Sequence, residues 1–255
     1  MSDVTTRNAS GTPCWFDMTV PDKKVAMDFY GSLFGWEFSD DYYNMCLVRG
    51  KQVAAVVEPW PGTEPPEQSN WTTYLAVNDL DATIDKIRSA GGRIDKETTD
   101  VMELGRMAIA SDPTGGTFGL WEAGTHLGSA VVNEPGAPCW HELTSKDTAA
   151  ASNFYATVFG YELEPMGAEG FDYTVLKVSG EPVGGIYGDA DQRPSAGHGA
   201  WLIYFGIDDT DAAARQATAS GGKVLSSPED TPYGRMAILA DPFGAHLAVI
   251  KLPQG

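Results

Sequence analysis

An internal duplication constrains this chain more than any other feature. Pro13-Cys14-Trp15 returns as Pro138-Cys139-Trp140, Phe29-Tyr30 as Phe154-Tyr155 and Phe34-Gly35 as Phe159-Gly160, all at an offset of 125 residues. Further on, Trp71 matches Trp201, Gly91-Gly92 matches Gly221-Gly222, Gly105-Arg106-Met107-Ala108 matches Gly234-Arg235-Met236-Ala237, and Asp112-Pro113 matches Asp241-Pro242. The offset there has grown to 129–130. The second copy therefore carries extra residues, placed around Asp191–Gly199. So many ordered matches at a fixed period are the mark of a repeated structural unit. We read residues 1–10 as a flexible N-terminus, 11–125 and 136–252 as two small domains with their own cores, and 126–135 as a Gly/Pro-containing linker.

Each copy divides again into two halves with the same order of elements. Cys14–Val20 is rich in strand formers. Asp22 to Gly31 carries Val25, Ala26, Phe29 and Tyr30 at helical spacing behind Pro21, and Leu33–Gly35 ends that helix. Short strands follow near 36–38, 45–49 and 53–57. In the second half 72–77 is a strand, and Asp79–Ala90 is a helix with Leu80, Ile84 and Ile87 on one face and Gly91 just past its end. Strands then follow near 93–95, 107–110 and 117–122, with Asp112 and Asp241 as turn formers. The fold class is α+β, with four βαβββ modules in the chain.

Composition narrows the function. The net charge of −18 repels phosphate backbones and argues against nucleic-acid partners. No apolar run reaches the ~18 residues that a membrane span needs, and the polar start MSDVTTRNAS has no apolar signal core. Cys14, Cys46 and Cys139 have no metal-type spacing. Cys14 and Cys139 fall in different copies, so all three are expected to be reduced thiols of a cytoplasmic protein.

The segments VPDKKVAMDFYGSLFGWEF, VNDLDATIDKIRSAGG and ASDPTGGTFGLWE, with their second-copy versions SKDTAAASNFYATVFGYEL, IDDTDAAARQATASGG and LADPFGAHLAVI, resemble the vicinal oxygen chelate superfamily of glyoxalases, bleomycin-resistance proteins and extradiol dioxygenases. The resemblance covers nearly all of the chain after residue 10. It looks most like the tandem actinobacterial proteins described as glyoxalase-like hydroxylases or antigens. It implies two glyoxalase/bleomycin-resistance-like domains, each a U-shaped sheet with its ligand in the concavity and helices outside. Counted from the motifs, the family's metal ligands fall at Trp15, Thr72, Gly119 and near Ala55 in the first copy, and at Trp140, Leu202, Ala248 and near Gly185 in the second. None of these supplies a chelating side chain, so neither a metal nor another cofactor is expected.

Strand alternation assigns the cleft faces. Trp15, Asp17, Tyr74, Thr117 and Trp121 should face the first cleft, and Trp140, Glu142, Tyr187, Tyr204 and His246 the second, with His141 on the opposite face. Aromatic walls with few polar groups suit a flat, largely apolar ligand bearing hydroxyl or carbonyl groups. Glu142, Tyr204 and His246 are the catalytic candidates, since an acid, a phenol and an imidazole on neighbouring strands can pass a proton. Arg106 and Arg235 can reach an anionic ligand but are read first as partners of surface carboxylates, His126 and His198 as exposed loop residues or the lining of an entrance, and Tyr42 and Tyr43 as ordinary loop packing or a lid on the first cleft.

Two readings of function follow. One is a metal-independent protein that binds an aromatic or polyketide-like small molecule. The other is a metal-independent lyase, cyclase or isomerase acting by acid–base chemistry on such a compound in natural-product biosynthesis. A metal-dependent glyoxalase or dioxygenase is disfavoured by the missing ligands. The duplication lets one chain be a monomer that carries its own pseudo-dimer.

Overall fold

The structure, a computed structural model, describes residues 2–59, 62–168, 171–188 and 201–251. His198 and the extra residues of the second copy lie outside them. The chain opens with β1 (Ser2–Asp3). The first copy then runs β2 (Pro13–Thr19), α1 (Lys23–Phe34), β3 (Glu37–Phe38), β4 (Tyr43–Val48), β5 (Lys51–Val57), β6 (Trp71–Ala76), α2 (Leu80–Ser89), β7 (Arg93–Val101), β8 (Gly105–Ser111) and β9 (Thr117–Ala123). After β10 (Val131–Val132), the second copy repeats this as β11 (Pro138–Thr144), α3 (Thr148–Phe159), β12 (Glu162–Ala168), β13 (Phe171–Val178), β14 (Glu181–Tyr187), β15 (Trp201–Gly206), α4 (Thr210–Ala219), β16 (Lys223–Thr231), β17 (Gly234–Ala240) and β18 (His246–Lys251).

Each copy forms one eight-stranded mixed sheet. The first has the order β3-β4-β5-β2-β6-β9-β8-β7 and the second β12-β13-β14-β11-β15-β18-β17-β16. At each centre the first strands of the two modules pair antiparallel, β2 with β6 and β11 with β15. Asp22, Asp79, Asp147 and Asp209 cap the four helices by accepting a bond from the backbone N–H three residues on. Gly91 has φ 86°, as a glycine past a helix end should. Strand β7 is far longer than the three residues expected, because its exposed stretch Asp95–Asp100 is polar and carries no apolar alternation to read.

The copies do not keep separate cores, contrary to expectation. One apolar layer joins Phe16, Met18, Phe29 and Tyr30 of the first copy to Phe205, Ala213, Leu239 and Leu247 of the second. The other joins Leu75, Ile84, Ile87 and Phe118 to Leu143, Phe154, Tyr155 and Tyr161. Helix α1 packs on α4, and α2 on α3. The physical reason is coverage. Each sheet has an apolar convex face, two helices cannot dry an eight-stranded surface, and the other copy supplies the rest.

The repeated motifs turn out to be the joint. Tyr30 Oη donates to Asp241 Oδ2 (3.0 Å) and accepts from Trp71 Nε1 (3.1 Å). In mirror fashion, Tyr155 Oη donates to Asp112 Oδ2 (3.0 Å) and accepts from Trp201 Nε1 (3.2 Å). The other oxygen of each aspartate holds its own turn, Asp112 through the Thr114 and Gly116 N–H groups and Asp241 through those of Phe243 and Ala245. Gly92 and Gly222 leave room for the facing copy's Phe154 and Phe29. A Cβ there would lie 2.8 and 2.7 Å from their ring edges. On the pseudo-twofold axis, the equivalent residues Phe16 and His141 stack face to face, with centroids 4.8 Å apart and planes 7° from parallel.

The N-terminal segment, expected to be flexible, makes ordered contacts from Ser2 onward. β1 pairs with β10, and Asn8 Nδ2 donates to Leu127 O (3.0 Å). The linker is equally anchored. His126 N donates to Leu104 O, Ser129 N to Cys14 O and Ala130 N to Gln52 O. It therefore runs across the end of the first cleft.

Candidate functional site

The concave faces hold the same four-residue unit twice. In the first copy Trp15 Nε1 donates to Tyr43 Oη (2.8 Å), Tyr43 Oη donates to Asp17 Oδ2 (2.8 Å), and Tyr74 Oη donates to the same oxygen (3.1 Å). In the second, Trp140 Nε1 donates to Tyr173 Oη (2.8 Å) and Tyr204 Oη to Glu142 Oε1 (3.2 Å). Alternation places these residues: 15 and 17 on β2, 140 and 142 on β11, each beside the tyrosine of the antiparallel neighbour. Burial pushes the Asp17 carboxyl up to about 6, against the hydrogen bonds from Tyr43 and Tyr74 that pull it down. Burial also raises Tyr43 and Tyr74 well above the usual phenol range. In the first copy the unit is a buried acid held by two phenols, placed to change protonation near neutral pH.

Tyr43 and Tyr173 are corrections to the sequence reading, which left Tyr43 as loop packing and did not single out Tyr173. The signal was available. Each tyrosine sits seven residues before the turn glycine, Gly50 or Gly180, at the repeat's later offset. Trp121 packs with Trp15 and Tyr74 in the first copy, and Tyr187 lies beside Tyr173 in the second. The Trp121 and Tyr187 side chains are buried in their own sheets, and His141 points to the convex side. Thr117, the counterpart of His246, sits exposed at the start of β9. His246 occupies the same row as Glu142 but two strands away, with Leu202 between them in register, about 10 Å by strand spacing. It lines a separate cavity of about 360 Å³ at the cleft's end, together with Lys223, Leu225, Phe243 and the first copy's Glu67 and Gln68. Gln68 Nε2 anchors that wall by donating to Gly244 O (2.9 Å). Glu142 and Tyr204 thus form one pair, and His246 stands at the rim.

His126 is a further correction. It is 7% exposed rather than a loop residue in solvent. Its ring meets Trp15 edge-on at 4.4 Å and Trp121 at 5.6 Å, its Nδ1 lies 2.7 Å from Gln52 Nε2, and its carbonyl accepts from Trp121 Nε1. Arg106 and Arg235 pair with carboxylates, Arg106 with Asp81, Asp100 and Glu122 and Arg235 with Asp211 and Asp230. Cys14 and Cys139 donate to the carbonyls of Tyr74 and Tyr204. Burial pushes the Cys139 thiol up to about 12 and Cys14 higher still, so neither is a nucleophile.

The family positions for chelating side chains do not fit a cation. Trp15, Ala55, Thr72 and Gly119 stand there in the first cleft, and Trp140, Gly185, Leu202 and Ala248 in the second. Moreover, tyrosines fill the space. A Cβ on Gly119 would lie 2.1 Å from Tyr74 Cδ1, and one on Gly185 2.1 Å from Tyr173 Oη. Among the described residues no three His, Cys, Asp or Glu side chains converge. Gly119→Ala is therefore expected to displace the Tyr74 ring from Asp17 and cost about 1–3 kcal/mol. An unchanged denaturant midpoint would show that the ring has room to move.

The glyoxalase/bleomycin resistance protein/dioxygenase family model matches residues 14–120 and again 137–249. The chain belongs to this superfamily. Within the glyoxalase/bleomycin resistance/dioxygenase superfamily it is 39% identical to CFP32 of Mycobacterium tuberculosis, a glyoxylase by provisional designation, over 94% of this chain and 95% of that one. It is 36% identical to the anthracycline biosynthesis protein DnrV of Streptomyces peucetius, over 98% and 96% of the two chains. Its fold matches the Mn(II)-bound glyoxalase from Novosphingobium aromaticivorans with a TM-score of 0.66 at 14% identity, over 95% and 82% of the chains. At that identity the superfamily likeness speaks for the fold alone.

Proposed function

We propose that this chain binds a polycyclic aromatic, polyketide-like compound in its second cleft without a metal, as a protein of natural-product biosynthesis. The carrying observation is the difference between two otherwise matched clefts. Trp15 is 3% exposed beneath His126, whereas Trp140 and its neighbour Cys139 are only half-buried. A flat ring can lie on Trp140 while the Tyr173, Glu142 and Tyr204 groups meet its hydroxyl or carbonyl oxygens. The likeness to DnrV, an anthracycline biosynthesis protein by name, supports a ligand of that class.

The buried Glu142–Tyr204 pair favours a second reading, in which the same site moves a proton on the bound compound in a dehydration, cyclisation or isomerisation. Titration of a dihydroxyanthraquinone, followed by its absorbance, tests binding. Trp140→Ala is expected to weaken it roughly tenfold or more, about the worth of a desolvated aromatic contact. Equal affinity in the variant would remove the second cleft as the site. A Glu142→Gln variant that binds normally but no longer turns over a biosynthetic intermediate would select the catalytic reading.

A further inference from the structure

We infer that the first cleft is a second, latent site for the same class of flat aromatic ligand, and that the chain's own His126 occupies it. The inference rests on the binding reading given above. Its first support is chemical equivalence. Trp15, Tyr43, Asp17 and Tyr74 repeat Trp140, Tyr173, Glu142 and Tyr204 position by position, with an aspartate in place of a glutamate. Whatever chemistry suits the second floor suits the first.

Its second support is what lies on that floor. The His126 ring is a polar-edged heteroaromatic that stands edge-on to Trp15, with centroids 4.4 Å apart and planes 88° from parallel, and it meets Trp121 at 5.6 Å. One ring nitrogen meets Gln52 at 2.7 Å. The other, Nε2, is buried and has no hydrogen-bond partner among the described residues. A residue chosen only to fill an apolar space would not carry that unmet nitrogen, since leaving it dry costs free energy that a phenyl or aliphatic side chain avoids. The imidazole thus stands where a ligand's ring would stand, on a floor built to receive one.

Its third support is the anchoring. Ser129 donates from both N–H and Oγ, to Cys14 O (2.7 Å) and Val53 O (2.6 Å), and Ala130 N donates to Gln52 O (2.7 Å). These bonds fix the linker across the cleft's end and hold the imidazole in place. In the second copy the position of Trp121 is taken by Ile250, the strand reaches Lys251, and Trp140 stays half-buried. The first cleft is closed by the covalent connection between the copies.

Isothermal titration with a dihydroxyanthraquinone compares the native chain, His126→Ala, Trp140→Ala and the double variant, each checked for folding by near-UV circular dichroism. At ligand concentrations that saturate the native chain but leave a tenfold-weakened site mostly empty, the native chain is expected to bind one equivalent, His126→Ala two, Trp140→Ala close to none, and the double variant one. Imidazole added to His126→Ala should compete for the new equivalent only. Should His126→Ala fold poorly, Gln52→Ala, which releases the imidazole without cutting the linker, is expected to add a weaker second equivalent. A folded variant that still binds one equivalent, with a double variant that binds none, would overturn the latent site and leave the second-cleft reading intact. A native chain that binds nothing while His126→Ala binds one would overturn the second-cleft reading and leave the latent site standing. No binding by either would overturn both.

Discussion

Asp241→Ala and Asp112→Ala are each expected to destabilise the chain by about 3–5 kcal/mol, and Tyr30→Phe and Tyr155→Phe by about 1.5–3 kcal/mol. Each aspartate does two things at once. One oxygen caps the backbone of its turn, and the other takes a phenol from the opposite copy. Removing the carboxylate loses both and strands a buried tyrosine hydroxyl. Removing only the hydroxyl spares the turn. The two joints are distant and share no partner, so the tyrosine effects should add. Within one joint, Tyr155→Phe with Asp112→Ala should fall short of the sum by the energy of the bond itself. Urea denaturation with a double-mutant cycle measures this. A coupling near zero would mean that the copies are held by their apolar layers alone.

Acid is expected to destabilise the protein through two buried imidazoles, with His141 contributing slightly more than His126. The His141 ring is 8% exposed against Phe16, its Nδ1 has no partner among the described residues, and burial pushes it down to about 3. His126 is likewise pushed down to about 4 by burial. For both, the unfolded chain binds a proton near pH 6.5 that the folded chain refuses. Their stability contribution is therefore complete above pH 6.5 and is lost as pH falls toward 4 and 3. Asp17 acts the other way. Held up to about 6 in the folded state, it costs stability above pH 6, and the loss is recovered as pH falls toward 4. Together these groups lower stability by about 4 kcal/mol between pH 7 and pH 4. His141→Phe removes the largest loss and leaves His126 and Asp17 nearly in balance. The variant should lose less than about 1 kcal/mol from these groups over the same interval. It should also gain about 1–3 kcal/mol at pH 7, because no nitrogen is left dry in the stack. Thermal midpoints at pH 7 and pH 4 decide it. An equal acid loss in His141→Phe would place the acid sensitivity elsewhere.

Much of the molecule was legible in the residue order. The offset of the motifs gave the duplication, the spacing of apolar residues gave the four helices, and alternation put Trp15 with Asp17 and Trp140 with Glu142 on one face, because a strand has a period of two. These are local properties, set by backbone geometry within a few residues. The resemblance to the family further implied that chelating residues are missing from the family positions. What it could not show is which face of the repeat meets the other copy. Tyr30, Tyr155, Asp112 and Asp241 read as helix and turn residues, and only folding makes them a joint, since their partners lie 211 and 43 residues away. Only the first three residues of the long edge strand β7 were legible, because the exposed residues that follow carry no apolar signal. His126 read as a solvent-exposed linker residue because nothing local says that the linker doubles back over Trp15. Tertiary structure alone decided that Trp15 lies under the chain's own His126 while Trp140, its counterpart, is half-buried. The duplication is a property of the sequence, while the asymmetry comes from where the single covalent link between the copies runs.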